Sequence, residues 1–189
     1  GCNTLTGSIT ISKVSYSGGA LSEIALQFEQ RCEGGVPTLH GEIYWNAQDT
    51  TAPPGPVTPP PAGLWQPASG ATPASGSYVY LESEPGDFVG GGGTHLYTQT
   101  TAILAVNAAG AHLSVSINGA QQWTGDFQGM NALGDLKVGY YGNLRRYPFH
   151  NPVKGGLSWF GEGRGCNSLG GWFVVDSVTY TNSALTTVD

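Results

Sequence analysis

The sequence predicts an all-β protein, a β-sandwich or jelly-roll-like module. Three observations carry that prediction. Short segments of alternating apolar and polar residues recur along the chain, separated by Gly-, Pro- and Asn-rich turns. No persuasive amphipathic helical period occurs. The composition suits many turns, with 30 glycines in 189 residues and only 11% charged residues, about half the usual share.

The extended segments follow in order. Ser8 to Tyr16 (SITISKVSY) places Ile9 and Ile11 on one face, and the apolar phase then slips to Val14 and Tyr16, which predicts a bulge near Ser12 and Lys13. Leu21 to Glu29 alternates Ile24, Leu26 and Phe28 with polar residues. Helix is an alternative there, but the Gly-rich flanks favour a strand. Leu39 to Trp45 is a third candidate. Residues 47–76 change character, with "TTAPPGPVTPPPAG" and "PASGATPASG" reading as a semi-rigid, extended Pro-rich linker. At ~3.1 Å per residue it could reach on the order of 90 Å. Beyond it, strands are predicted at Tyr78–Glu82, His95–Thr98, Ile103–Val106, His112–Ile117, Trp123–Phe127, Leu136–Tyr141, Leu157–Phe160 and Trp172–Tyr180. Asn118-Gly119 is a hairpin-turn signal between two of them.

The chain also repeats itself. Residues 1–25 and 165–189 align without a gap at an offset of 164, with nine of 25 positions identical. Gly1-Cys2-Asn3 meets Gly165-Cys166-Asn167. Leu5, Gly7, Val14 and Tyr16 meet Leu169, Gly171, Val178 and Tyr180, and Ala20-Leu21 meets Ala184-Leu185. Even the phase slip recurs, between Val175 and Val178. Internal duplication explains this. Residues 1–46 then read as the closing strands of one repeat, 47–76 as the linker, and 77–189 as the main body of the next. That body lacks its closing strands, because the counterpart of "LQFEQRCEGGVPTLHGEIYWN" is expected just after Asp189. Its sheet would keep an open edge. Three completions satisfy the pattern: a longer tandem chain, self-completion as in a circular permutant, or strands from a neighbouring copy in a head-to-tail contact that grows a fibre. Self-completion leaves one copy of the repeated segment surplus.

The cysteines follow the repeat. Cys2 is expected to pair with Cys32. Cys166 then awaits a cysteine beyond the chain, awaits the Cys32 of a partner, or stays free and buried. No CxxC and no His/Cys spacing suggests zinc. The net charge of −6 gives nucleic acid no electrostatic reason to bind. No apolar run reaches the ~18 residues that a spanning helix needs. The N-terminus lacks the zones of a signal peptide, so a secretory signal is expected upstream.

The stretches "LESEPGDFVGGG", "GYYGNLRRYPFHNP", "GEGRGCNSLGGWFVVDSVTY" and "LQFEQRCEGGVPTLHGEIYWN" resemble a family of bacterial secreted β-sandwich modules. Its members carry a GD-aromatic-x-G turn, an RYPF segment, a GRGCN strand start and an FEQxCEG strand in that order, often in tandem. The resemblance covers residues 77–189 and 1–46. It implies compartment and fold, and no catalysis or cofactor. Family order places FEQxCEG after GRGCN, which this chain never does. Arg31 stands where the family more often has His, so no chemical role attaches to that position.

Candidate sites are few. Glu82, Glu84 and Asp87 form an acidic turn that could hold Ca²⁺, although a solvated turn accounts for it as well. Gly90–Gly93 lacks the Lys-Ser/Thr and the helix of a phosphate loop. Arg145, Arg146 and Tyr147, beside Phe149 and His150, form a cationic and aromatic patch suited to a sugar or an acidic group. Trp123 and Trp159, with Trp65, are candidate platforms for it. The alternative is that these aromatics fill the core. The four histidines are scattered and no GxSxG elbow occurs, so no hydrolase is expected. The function expected is that of a secreted structural or adhesive repeat that joins copies of itself, or adjacent repeats, by strand exchange. A glycan-binding module is the alternative.

Overall fold

A computed structural model describes residues 1–189 and contains strands and turns without helix. No helix is therefore long and apolar enough to cross a membrane. The chain divides into two compact units, Gly1–Ala52 and Pro53–Asp189.

The first unit is a three-stranded antiparallel sheet of β1 (Leu5–Ser17), β2 (Ala20–Cys32) and β3 (Leu39–Asn46), with β2 in the centre. Opposed residues share a face in such a ladder. The pairs Ile9/Phe28, Ile11/Leu26 and Val14/Ile24 continue across to Gly41, Ile43 and Trp45. Between these rows lie Ser8/Glu29/His40 and Thr10/Gln27/Glu42. One face is thus apolar and the other polar. The expected bulge falls at Ser12, where pairing skips from Ile11 to Lys13. The Ser12 hydroxyl donates to the Ala25 carbonyl at 3.2 Å. Cys2 and Cys32 are joined in a disulfide that closes the sheet's end.

The second unit is built on a six-stranded sheet. Its strands are β6 (Ala102–Ala109), β7 (His112–Gly119), β8 (Gln122–Gln128), β9 (Gly139–Arg146), β10 (Gly156–Gly161) and β11 (Gly170–Val175). They lie in the order β11-β9-β10-β8-β7-β6, so β11 is an edge. Two hairpins pack on its inner face: β4 (Tyr78–Glu82) with β5 (Thr94–Thr98), and β12 (Val178–Thr181) with β13 (Ala184–Val188). Alternation along β7 turns Leu113, Val115 and Ile117 inward. Tyr141, Leu144, Met130, Leu136, Phe173 and Val175 complete the core, with Val79, Val178, Leu185 and Val188 covering it. A second cluster joins Tyr97, Ile117 and Trp123. Trp159 of β10 lies directly across from Gly125, where a Cβ would come within 2.3 Å of its ring. An aromatic laid over a cross-strand glycine covers that gap in the pleat.

Four expectations are corrected. The Pro-rich stretch is not an extended spacer throughout, since residues 53–76 fold with the second unit. Val57 exchanges backbone hydrogen bonds of 2.9 Å with Tyr140, and Trp65 stacks parallel to Tyr80. Asn118 pairs with Gln122, so the hairpin loop is Gly119-Ala120-Gln121, one residue beyond the Asn118-Gly119 pair. The expected strand at Leu136–Tyr141 is shifted to Gly139–Arg146, and Leu136 enters the core from a loop. The segment Trp172–Tyr180 is two strands, broken at Asp176-Ser177.

The two copies of the repeated phrase fold alike. Tyr16/Leu21 and Ser17/Ala20 are matched by Tyr180/Leu185 and Thr181/Ala184. The register shift at Ser15/Tyr16 recurs at Thr179/Tyr180. Both two-residue turns have positive φ at each position, 58° and 85° at Gly18-Gly19 and 50° and 64° at Asn182-Ser183. A type I′ turn requires this. The bulge recurs too, since the amides of Asp176 and Ser177 both donate to the carbonyl of Asp189, the counterpart of Ala25.

Candidate functional site

The repeated hairpins meet different surroundings, and that difference defines the site. In the second unit Val178, Leu185 and Val188 pack on the core. In the first unit no residue is buried. Its apolar face is open, with Ile9 70%, Ile11 57%, Ile43 47% and Trp45 45% exposed. Exposed apolar faces of this extent in soluble proteins mark interaction surfaces.

The second unit carries an opening of its own. An open apolar cavity of about 230 Å³ runs between Tyr78 and Val79 on one side and Val188 and Asp189 on the other. Its floor is Leu113, Val115, Phe127, Leu136, Trp159, Phe173 and Val175. Two backbone edges border it. β11 pairs only with β9, and β13 only with β12. The strands of the groove's floor are among those predicted from the sequence, whereas β13, whose Val188 forms the rim, is not. Openness is a tertiary property that alternation cannot report.

The three carboxylates of the acidic turn do not gather at one point. Glu82 accepts from the Tyr80 hydroxyl at 2.7 Å. Asp87 Oδ2 accepts from the Ser83 hydroxyl at 2.8 Å and from the Gly90 amide at 2.6 Å. Glu84 contributes its backbone carbonyl to the Asp87 amide. No three His, Cys, Asp or Glu side chains gather as a metal centre. The Gly-rich run closes this loop instead of cradling phosphate. Arg164 Nε donates to the Val89 carbonyl at 2.8 Å, which ties the loop to the GRGCN motif.

The Gly90 amide and then the Ser83 hydroxyl hold the Asp87 carboxyl below its ordinary range. A carboxyl depressed in this way stabilises the fold fully above its unfolded value near ~4. That support is lost as pH falls through the lower folded value. Protease cleavage within Ser83–Gly93 is therefore expected to accelerate below about pH 4, and Asp87→Ala is expected to give a similar rate at neutral pH, because the loop's local hydrogen bonds are then lost. A cleavage rate that is flat with pH and unchanged by the substitution would contradict this role.

The expected ligand patch is not assembled. Trp123 is 1% exposed and donates its indole N–H to the Tyr97 hydroxyl at 2.8 Å. Trp159 lies in the groove floor. Neither can offer a platform beside the arginines. Arg146 reaches the Asn167 carbonyl at 3.5 Å and lies over Phe149, whereas Arg145 lines a shallow pocket with Tyr140, Gly170 and Trp172. Tyr147 stacks between His112 at 4.8 Å and His150 at 5.6 Å. His112 Nε2 lies 3.0 Å from Asp126 Oδ1. Sequence reading grouped Tyr147 with His150 but missed His112 and Asp126, which come to the column from β7 and β8. Burial, then the neighbouring His112, lowers the pKa of His150. No serine hydroxyl hydrogen-bonds to a histidine in the column.

Of the cysteines, Cys2 and Cys32 are paired as expected, and Cys166 is free and exposed rather than buried. Comparison with family models, with curated proteins and with solved structures finds no match to this chain.

Proposed function

We propose that this chain is a secreted structural or adhesive repeat module that joins its neighbours head to tail by β-strand complementation. The observation that carries the reading is a pair of unsatisfied surfaces of matching chemistry. One is the open apolar face of β1–β3, and the other is the open groove with its two free strand edges. Heterologous contacts of this kind propagate when the rotation does not close. Main-chain pairing at an edge supplies affinity, and alternate side chains entering a groove supply specificity. The disulfide and the sparse charge fit an extracellular setting.

Sedimentation velocity on the full chain tests the reading. Species larger than a monomer are expected to grow with concentration and to appear as filaments in negative stain. The double substitution Ile11→Lys with Ile43→Lys is expected to weaken association by about a hundredfold or more, because each lysine must be desolvated at the contact. Far-UV circular dichroism should be retained, since both side chains are exposed. A wild-type chain that stays monomeric and is retained on a polysaccharide column would favour glycan binding instead.

A further inference from the structure

The complementation reading leaves open which strands enter the groove and in what register, and the paired hairpins answer both. We propose that the groove takes the Leu26–Asn46 hairpin of a second copy, in the register that the first unit already displays. This rests on the complementation reading.

Two parts of the structure map onto one another. β11 and β12 together are the counterpart of β1, and β13 is the counterpart of the start of β2, by matching turn, bulge and register shift. In the first unit β2 continues from the bulge to place Leu26 opposite Ile11 and Phe28 opposite Ile9. The counterparts of Ile11 and Ile9, at the offset of 164, are Val175 and Phe173. Both line the groove, on the strand whose outer edge is free. β3 then returns to set Trp45 opposite Ile24. The counterpart of Ile24 is Val188, on the groove's rim. Because β1 and β3 hold both edges of β2 in the first unit, the incoming hairpin must part from its own β1, and in this register it then brings Leu26, Phe28 and Trp45 to three residues that border one opening. The interface is therefore already present in this chain, as the packing of β2 and β3 beside β1. At about 230 Å³ the cavity is smaller than the ~300–1,000 Å³ of ordinary small-molecule pockets. It suits a few inserted side chains.

The cysteines give the register a covalent readout. Cys32 sits opposite Leu5 and is bonded to Cys2. On the acceptor the counterparts are Leu169 and Cys166, whose thiol is free and exposed. In a docked pair the Cys166 thiolate attacks the Cys32 sulfur of the second copy. The Cys32–Cys166 bond forms as the Cys2–Cys32 bond breaks. Cys2 leaves as a thiolate and takes up the proton that Cys166 gave up, so no external oxidant is consumed.

The experiment uses the full oxidised chain, incubated at high concentration near pH 8 and analysed without reduction by intact mass and peptide mapping. The expected result is covalent species linked Cys32–Cys166, with Cys2 newly open to alkylation. Cys166→Ser should abolish the covalent species while sedimentation still shows association. Val188→Lys should reduce both by at least tenfold. Assembly that persists with Cys166 unlinked and is indifferent to Val188→Lys would overturn the register and leave the complementation reading standing. A chain that is monomeric at every concentration would remove both.

Discussion

Trp123→Ala is expected to destabilise the second unit by about 3–5 kcal/mol, the range for deleting a buried large aromatic. The indole is 1% exposed and is in contact with several groups at once. A Cβ on Gly161, its direct cross-strand partner, would come within 2.4 Å of the ring. The Arg164 guanidinium lies 5.9 Å from its centroid and His95 5.6 Å away at a tilt. Its N–H donates to the Tyr97 hydroxyl, which donates in turn to Gln121 Oε1 at 2.6 Å. Alanine removes the ring and opens a cavity between β8, β10 and β5. Trp123→Phe keeps most of the volume and removes the hydrogen bond, worth about 1 kcal/mol, so it should cost well under half as much. Urea unfolding followed by far-UV circular dichroism measures both variants. Equal, small losses in the two would mean that the ring is not the centre of this cluster.

That prediction also shows what the sequence could and could not reveal. An exposed tryptophan beside arginines would suit a ligand platform, yet the strand position of Trp123 argues for the core. It pairs with Ile117 and shares a face with Phe127, two residues beyond Gly125. The alternation in "HLSVSI" and "WTGDF" thus contained the answer. The bulge at Ser12 was legible for the same reason, because a phase slip in a period of two has one structural meaning. β9 was not legible. Asn143 has φ 56°, a left-handed residue in mid-strand, and so Tyr141 and Leu144 both turn inward three residues apart. No alternation survives there to be read. The Asn118-Gly119 signal was off by one residue, since the ladder of β7 and β8 runs to Asn118/Gln122 and leaves Gly119-Ala120-Gln121 as the loop. The groove lay beyond reach because its walls come from β4, β7, β8, β10, β11 and β13. Pattern along one strand records which face is apolar, and says nothing of whether another layer covers it.

Reducing the Cys2–Cys32 bond is expected to unfold Gly1–Ala52 while leaving the second unit folded. The first unit has no buried residue, and its ladder rests on main-chain hydrogen bonds and a half-covered central strand. Even ~60-residue domains with a closed core are marginal, because too little surface is buried. The disulfide joins cysteines 30 residues apart. In the chain-entropy model that closure contributes roughly 3–4 kcal/mol, as much as such a sheet is apt to possess. Hydrogen exchange by mass spectrometry resolves the outcome by segment. In the reduced chain, or in Cys2→Ser with Cys32→Ser, amides of β1–β3 should lose protection by about a hundredfold or more, whereas those of β7 and β8 should be unchanged. Retained protection in β1–β3 at high dilution would refute the dependence. Dilution matters, because a neighbour that covers the apolar face binds only the folded sheet and stabilises it by mass action. Protection of the reduced sheet that returns with concentration would therefore locate the missing core of the first unit in another molecule.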